Sequence, residues 1–100
     1  MNDKKKILII EDEVALLYAL QSKLTIEGFE VEAYSTGKEG LKAIKNKKFN
    51  LLILDIILPD TDGFEILKTV KSDPKTKDVP VVIISNLAEK DNISKGISLG

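Results

Sequence analysis

The chain has 100 residues, of which 43% are hydrophobic, so we expect one small domain with a single core and no second domain. Its 15 basic and 16 acidic residues give a net charge of -1, which argues against a dedicated nucleic-acid or polyanion binder. The sequence contains no cysteine and no histidine, which excludes disulfides, thiolate or imidazole metal sites and a phosphohistidine on this chain.

The first predicted elements are a strand and a helix. Residues 6–10 form a continuous, β-branched apolar run, which is typical of a strand buried on both faces of a sheet. Over residues 14–27, leucines recur at helical spacing, and Leu16 and Ala19 widen the apolar stripe. Gly28 stands where this helix is expected to end.

A second strand and helix follow, and then a third strand. Residues 29–34 alternate between apolar and polar, which predicts an edge strand with one wet face. Ser-Thr-Gly at 35–37 predicts a turn and a cap before a helix that directs Leu41 and Ile44 inward. Residues 51–54 are a second fully apolar run that leads to an acidic residue, and they predict another buried strand.

The last part of the chain repeats this alternation. A helix that begins near Phe64 is expected to end at the Asp-Pro pair at 73–74, since proline disfavours helix in the residue before it. Residues 79–84 predict a buried strand, and 89–99 predict a further helix. The order β-α-β-α-β-α-β-α predicts one α/β domain, 1–100, in which right-handed crossovers join parallel strands and helices cover both faces.

Polar residues follow three of the four predicted strands. Glu11 and Asp12 follow the first strand, Asp55 the third and Ser85 the fourth. Because ligands of open α/β sheets bind at the carboxyl ends of strands, we expect these groups to converge. Carboxylate oxygens without other ligand types suit Mg²⁺ with retained water. A carboxylate beside such an ion can attack a phosphoryl group, so Asp55 is the predicted nucleophile and Ser85 a hydrogen-bond donor to a phosphoryl oxygen.

Three motifs at matching separations resemble the receiver domains of two-component response regulators, over the whole chain. Residues 7–13 resemble the first strand and acidic pair of that family, and 80–85 resemble its fourth strand with a terminal Ser or Thr. Residues 51–65, with Pro59 and Gly63, look like its phosphoacceptor loop. The resemblance implies a flavodoxin-like (CheY-like), doubly wound parallel sheet with strand order 2-1-3-4, in which strand 5 and helix 5 are missing.

The resemblance also implies a role for each matching residue. Asp55 accepts phosphate from a phosphohistidine on a histidine kinase or phosphotransfer protein, as a phosphorelay signalling switch and not as a turnover enzyme. Asp12, Asp55 and the backbone carbonyl of Ile57 bind Mg²⁺ directly, and Glu11 helps through water. Ser85 moves toward the phosphoryl group and signals its presence.

Several positions depart from the family pattern. Glu11 stands where Asp is more frequent, which lengthens the reach to the metal, and Asn86 replaces a smaller residue, which narrows access to the phosphoryl site. Ile57 and Leu87 are apolar where the family tunes hydrolytic water, so we expect a long-lived acyl phosphate. The resemblance also calls for a fifth strand and a lysine that pairs with the phosphoryl group, beyond Gly100.

The expected truncation leads to a serious alternative function. Without a fifth strand, residues 81–84 would form an exposed apolar edge, and such an edge pairs readily with other chains. We therefore expect self-association, exchange of elements or binding of a complementary fragment through the fourth strand. The alternative is thus a C-terminally incomplete receiver-shaped fragment that is structural, associates and no longer switches.

Two other functions lack the residues that their chemistry needs. A haloacid-dehalogenase-like phosphatase requires a second Asp two residues after the nucleophile, where this chain has Ile57. A flavin or nucleotide binder of this fold class requires a phosphate-binding loop, and the chain has no such motif. No apolar run approaches the roughly 18 residues of a membrane span. We therefore expect a cytoplasmic domain with protein partners, without membrane or direct nucleic-acid contact.

Overall fold

A computed structural model gives the arrangement of residues 4–84, which are the residues that the structure describes. Strands and helices alternate along this range in the predicted order. They are β1 (Lys6–Ile10), α1 (Val14–Ile26), β2 (Glu30–Tyr34), α2 (Gly37–Asn46), β3 (Leu51–Asp55), α3 (Gly63–Ser72) and β4 (Val81–Ile84). The helix predicted over 89–99 lies outside the described residues, as do Ser85, Asn86 and Leu87.

The described strands form one parallel sheet in the order β2-β1-β3-β4, so the predicted fold class and strand order are confirmed. β1 lies inside the sheet, between β2 and β3. Its register with β3 runs from Ile7 opposite Leu51 to Ile10 opposite Leu54. Since the strands are parallel and in step, the residues that follow Ile10 and Leu54 emerge at the same edge of the sheet.

Hydrophobic clusters lie on both faces of this sheet, because successive strand residues point to opposite sides. Ile7 and Ile9 of β1 pack in one cluster with Leu17 of α1. Leu8 and Ile10 belong to the other cluster, which includes residues of α2 and α3. Burying one such side chain contributes about 1.5–3 kcal/mol, so the continuous apolar run of β1 stabilises both layers at once.

The ends of the helices follow the signals in the sequence. The side chain of Thr36 caps α2 and accepts a hydrogen bond from the Glu39 amide at 3.2 Å, as predicted. Gly28, just after α1, has a φ of 100°, a left-handed conformation that favours glycine. α3 ends at Ser72 because Asp73, which precedes a proline, is extended with φ -89° and ψ 123°.

The apolar stripe of α1 is narrower than predicted, and the inclusion of Leu16 and Ala19 was wrong. Leu17 is 5% exposed, whereas Leu16 is 38% exposed and Ala19 is also exposed. At 3.6 residues per turn, Ala19 lies about 160° around the helix from Leu17 and so points away from the sheet. A small or apolar side chain is therefore not enough to predict that a helix residue lies on the face that packs against the sheet.

β4 is shorter than predicted, beginning at Val81 and not at residue 79. The amide of Val79 donates to the Thr76 carbonyl at 3.0 Å within a turn, and Pro80 has no N–H to offer a neighbouring strand. β4 lies at one edge of the described sheet, and Val82 on it is 47% exposed. Within residues 4–84, no helix has the length and apolar character needed to cross a bilayer.

Candidate metal centre

The carboxyl ends of β1 and β3 bring three acidic side chains together. Glu11 and Asp12 follow β1, and Asp55 is the last residue of β3. One carboxylate oxygen from each lies within 4.8 Å of the others. Glu11 and Asp55 are only 3% and 5% exposed, whereas Asp12 is exposed, so the cluster reaches solvent on the Asp12 side. The convergence predicted for the three acidic residues is therefore present, and that of Ser85 lies outside the described residues.

Backbone amides orient the two buried carboxylates. Asp55 accepts a hydrogen bond from the Ile57 amide on Oδ1 at 3.0 Å, and Glu11 accepts one from the Glu13 amide on Oε2 at 2.9 Å. In both cases the donor is two residues further along, as in an Asx turn. The amide of Glu11 donates in turn to the Tyr34 carbonyl at 3.1 Å. The amides of Glu13 and Ile57 thus orient the two carboxylates, and the bond to Tyr34 fixes the Glu11 backbone to the end of β2.

The surroundings of the cluster disfavour the ionised form of its buried carboxyl groups. Burial raises the pKa of Asp55 to about 8; the Ile57 amide opposes this shift, and the neighbouring carboxyl groups of Glu11 and Asp12 add to it. Burial likewise raises the pKa of Glu11 from its ordinary value. Carboxyl groups this close cannot all ionise at neutral pH unless a cation lies among them, and without a cation at least one group keeps its proton.

The donor set fits a hard divalent cation. All three side chains of the cluster offer oxygen, which Mg²⁺ and Ca²⁺ prefer, and an incomplete protein cage suits Mg²⁺ because it retains water. Ile57 lies at this site because its backbone amide donates a hydrogen bond to the Asp55 carboxylate, while binding of metal by its carbonyl stays a prediction. Ser85 lies outside the described residues, so its predicted contact with a phosphoryl group also stays a prediction.

The start of α3 packs directly on the strand end that carries Asp55. The Gly63 amide donates to the Ile56 carbonyl at 3.1 Å. A Cβ added at Gly63 would lie 2.2 Å from Ile56 Cα and 2.7 Å from the Asp55 carbonyl oxygen. These are backbone atoms that cannot turn aside, so the position requires glycine. In the sequence, Gly63 is only part of the segment that resembles a phosphoacceptor loop, and nothing there indicates this close approach.

A second contact anchors the same loop to α2, and sequence reasoning missed it. Asp60 accepts hydrogen bonds from the Gly37 amide at 2.9 Å and from the Lys38 amide at 3.0 Å. These bonds lower the pKa of Asp60. They fix the segment after Asp55 to the beginning of a neighbouring helix. The partners are 23 and 22 residues apart along the chain, so no local pattern indicates them.

Known proteins are similar to this chain over most of its length. The family model described as "Response regulator receiver domain" matches residues 7–100. The probable transcriptional regulator ycf27 of Pyropia yezoensis is 32% identical over 99% of this chain. That match covers 40% of the ycf27 protein, so the chain spans well under half the length of this curated relative.

Solved structures are similar over nearly the same range. A putative response regulator from Chloroflexus aurantiacus is 28% identical with a TM-score of 0.89, covering 98% of this chain and 80% of its own. The response regulator TrrA from Thermotoga maritima, solved in complex with Mg²⁺-BeF, is 28% identical with a TM-score of 0.78, covering 91% and 78%. With the family model matching most of its length, this chain belongs to the response regulator receiver domain family.

Proposed function

We propose that this chain is the phosphoacceptor domain of a two-component phosphorelay, with Asp55 as the residue that receives the phosphoryl group. The observation that carries the proposal is the convergence of Glu11, Asp12 and Asp55 at one edge of the sheet. Membership of the receiver family supports it, because that family serves signalling. The donor is a phosphohistidine on a histidine kinase or phosphotransfer protein.

The residues of the chain divide the work of the transfer. An Asp55 carboxylate oxygen attacks phosphorus; the new O–P bond forms as the P–N bond breaks, and the electron pair of that bond goes to the imidazole nitrogen of the donor. The hydrogen bond from the Ile57 amide to Oδ1 orients the carboxylate during this step. Ser85 is proposed to donate a hydrogen bond to a phosphoryl oxygen of the product.

Asp12, Asp55 and the Ile57 carbonyl are proposed to hold Mg²⁺ directly, with Glu11 acting through water. When bound, Mg²⁺ offsets the charge that gathers on the phosphoryl oxygens and favours the ionised form of Asp55. The complex of TrrA with Mg²⁺-BeF supports this choice of ion by similarity. The raised pKa values of Asp55 and Glu11 support it independently, since a cation relieves the repulsion that burial intensifies.

Phosphorylation by a small donor tests the proposal. We expect acetyl phosphate with Mg²⁺ to add one phosphoryl group, visible by intact mass, and chelation of the metal to prevent it. Asp55→Asn should abolish the added mass, whereas the exposed Asp78→Asn should retain it. Phosphorylation of the Asp55→Asn variant to the same extent as the parent would show that the acceptor is another residue.

The rate at which the added mass disappears measures the lifetime of the acyl phosphate. We expect this lifetime to be long, and loss of the added mass within seconds would refute that expectation.

Association through β4 is the second candidate function, and it is favoured by the position of β4 at one edge of the described sheet and by the exposure of Val82. Sedimentation over a range of concentrations separates the two functions. A chain that associates and takes up no phosphoryl group supports association, whereas a monomer that is phosphorylated on Asp55 supports the switch.

A further inference from the structure

A basic cavity lies at the amino-terminal end of β3, at the opposite end of this strand from the acidic cluster. It has a volume of about 740 Å³ and lies where α2 ends, β3 begins and the chain returns from α3. Lysines provide its charged walls: Lys45, Lys47, Lys48 and Lys75. Among the described residues, no acidic side chain lines it.

Three of these four lysines form no ion pair among the described residues. Lys47 pairs with Glu32 at 3.1 Å. The described ion pairs include none that involves Lys45, Lys48 or Lys75. Like charges gathered around one concavity repel each other and raise the local potential, which attracts a ligand with several negative charges.

The buried part of the cavity lining is apolar. Phe49 and Ile44 line it and are only 7% and 2% exposed, so they belong to the packed core. Thr76 is held in place by a hydrogen bond from its hydroxyl to the Val70 carbonyl at 2.7 Å. A concavity of this size lies within the range of roughly 300–1,000 Å³ that is usual for small-molecule sites. Lysine ammonium groups bind phosphate as point charges.

We propose that this cavity binds a small anion that carries two or more phosphate groups. β3 separates it from Asp55, since the cavity includes Asn50 just before the strand and Asp55 ends it. A strand of this length spans about 17 Å at 3.3 Å per residue, so an anion there does not touch the acidic cluster. The proposal therefore stands apart from the role proposed for Asp55.

Titration with inorganic tripolyphosphate in metal-free solution, followed through backbone amide resonances, tests this site. We expect saturable shifts confined to residues 44–50 and 75–79. Replacing Lys48 and Lys75 together by Gln should weaken binding about tenfold, because each removes one charge a few ångströms from the anion. The matched control replaces Lys23 and Lys42, exposed lysines outside the cavity, by Gln. It changes the net charge equally and should alter affinity by less than about twofold.

Several outcomes would overturn the proposal. Equal weakening by both double variants would show unspecific attraction to a lysine-rich surface, and shifts at lysines across the whole chain would show the same. Orthophosphate binding as tightly as tripolyphosphate would remove the requirement for several phosphate groups. Lys48→Arg with Lys75→Arg keeps both charges and should keep binding. Loss of affinity in that variant, with a native-like spectrum, would mean that the positive charge of Lys48 and Lys75 does not account for anion binding.

Discussion

Asp55→Asn is expected to make the metal-free protein more stable than the parent chain, by an amount that grows as pH rises. The pKa of Asp55 is raised from 3.8 to about 8 in the folded chain, mainly by burial. Below about pH 4, the carboxyl group is neutral in both folded and unfolded states and adds no difference. Between pH 4 and 8 the unfolded chain releases a proton that the folded chain retains, so folding loses up to about 1.4 kcal/mol per pH unit.

Denaturant unfolding at a series of pH values measures this effect. The curves for Asp55→Asn and the parent should coincide near pH 4 and separate steadily up to about pH 8, and Asp78→Asn, on the surface, should follow the parent. Saturating Mg²⁺ should narrow the difference at about pH 8, since a ligand at 100 times its Kd stabilises the parent by about 2.7 kcal/mol. A constant difference across the whole pH range would mean that Asp55 does not titrate as the buried group described here.

Gly63→Ala is expected to destabilise the domain by about 2–3 kcal/mol, although alanine is the better helix former. The added Cβ would lie 2.2 Å from Ile56 Cα, so either α3 or the end of β3 must move. Because Asp55 precedes Ile56, we also expect weaker Mg²⁺ binding by the variant that remains folded. A loss of this size is a large fraction of the roughly 5–15 kcal/mol that stabilises a typical domain.

Glu65→Ala provides the control for this variant, since Glu65 lies in the first turn of the same helix and is exposed. Its effect on the free energy of unfolding should stay within about 0.5 kcal/mol. Gly63→Ala with unchanged stability would show that the close approach of α3 to β3 relaxes without consequence.

The fold was predictable because its signals are local. The apolar run of β1 predicts a doubly buried strand, and Gly28 and Thr36 mark helix boundaries that the structure confirms. The order of the strands in the sheet could not be predicted in this way, because the alternation of strands and helices indicates a parallel sheet without fixing which strands are neighbours. That order, β2-β1-β3-β4, came from the resemblance to a family and agrees with the structure.

The acidic cluster was predictable for a related reason, and its supports were not. Acidic residues directly after buried parallel strands must emerge at one edge, so Glu11 and Asp55 meet once β1 and β3 are neighbours. The anchoring of the loop by Asp60 and the steric demand at Gly63 depend on how α2 and α3 lie on the sheet. Such packing joins positions that are distant in the chain, and hydrophobic periodicity carries no information about it.

A Mg²⁺ titration followed through the backbone amides of Glu13 and Ile57 tests the central claim most directly. These amides donate to Glu11 and Asp55, the two buried carboxylates of the cluster. If the carboxylates share one ion, both resonances must shift along a single saturation curve, and the shifts must vanish in Asp12→Asn with Asp55→Asn. Two different binding constants, or a response from only one amide, would contradict a common cation site at the ends of β1 and β3.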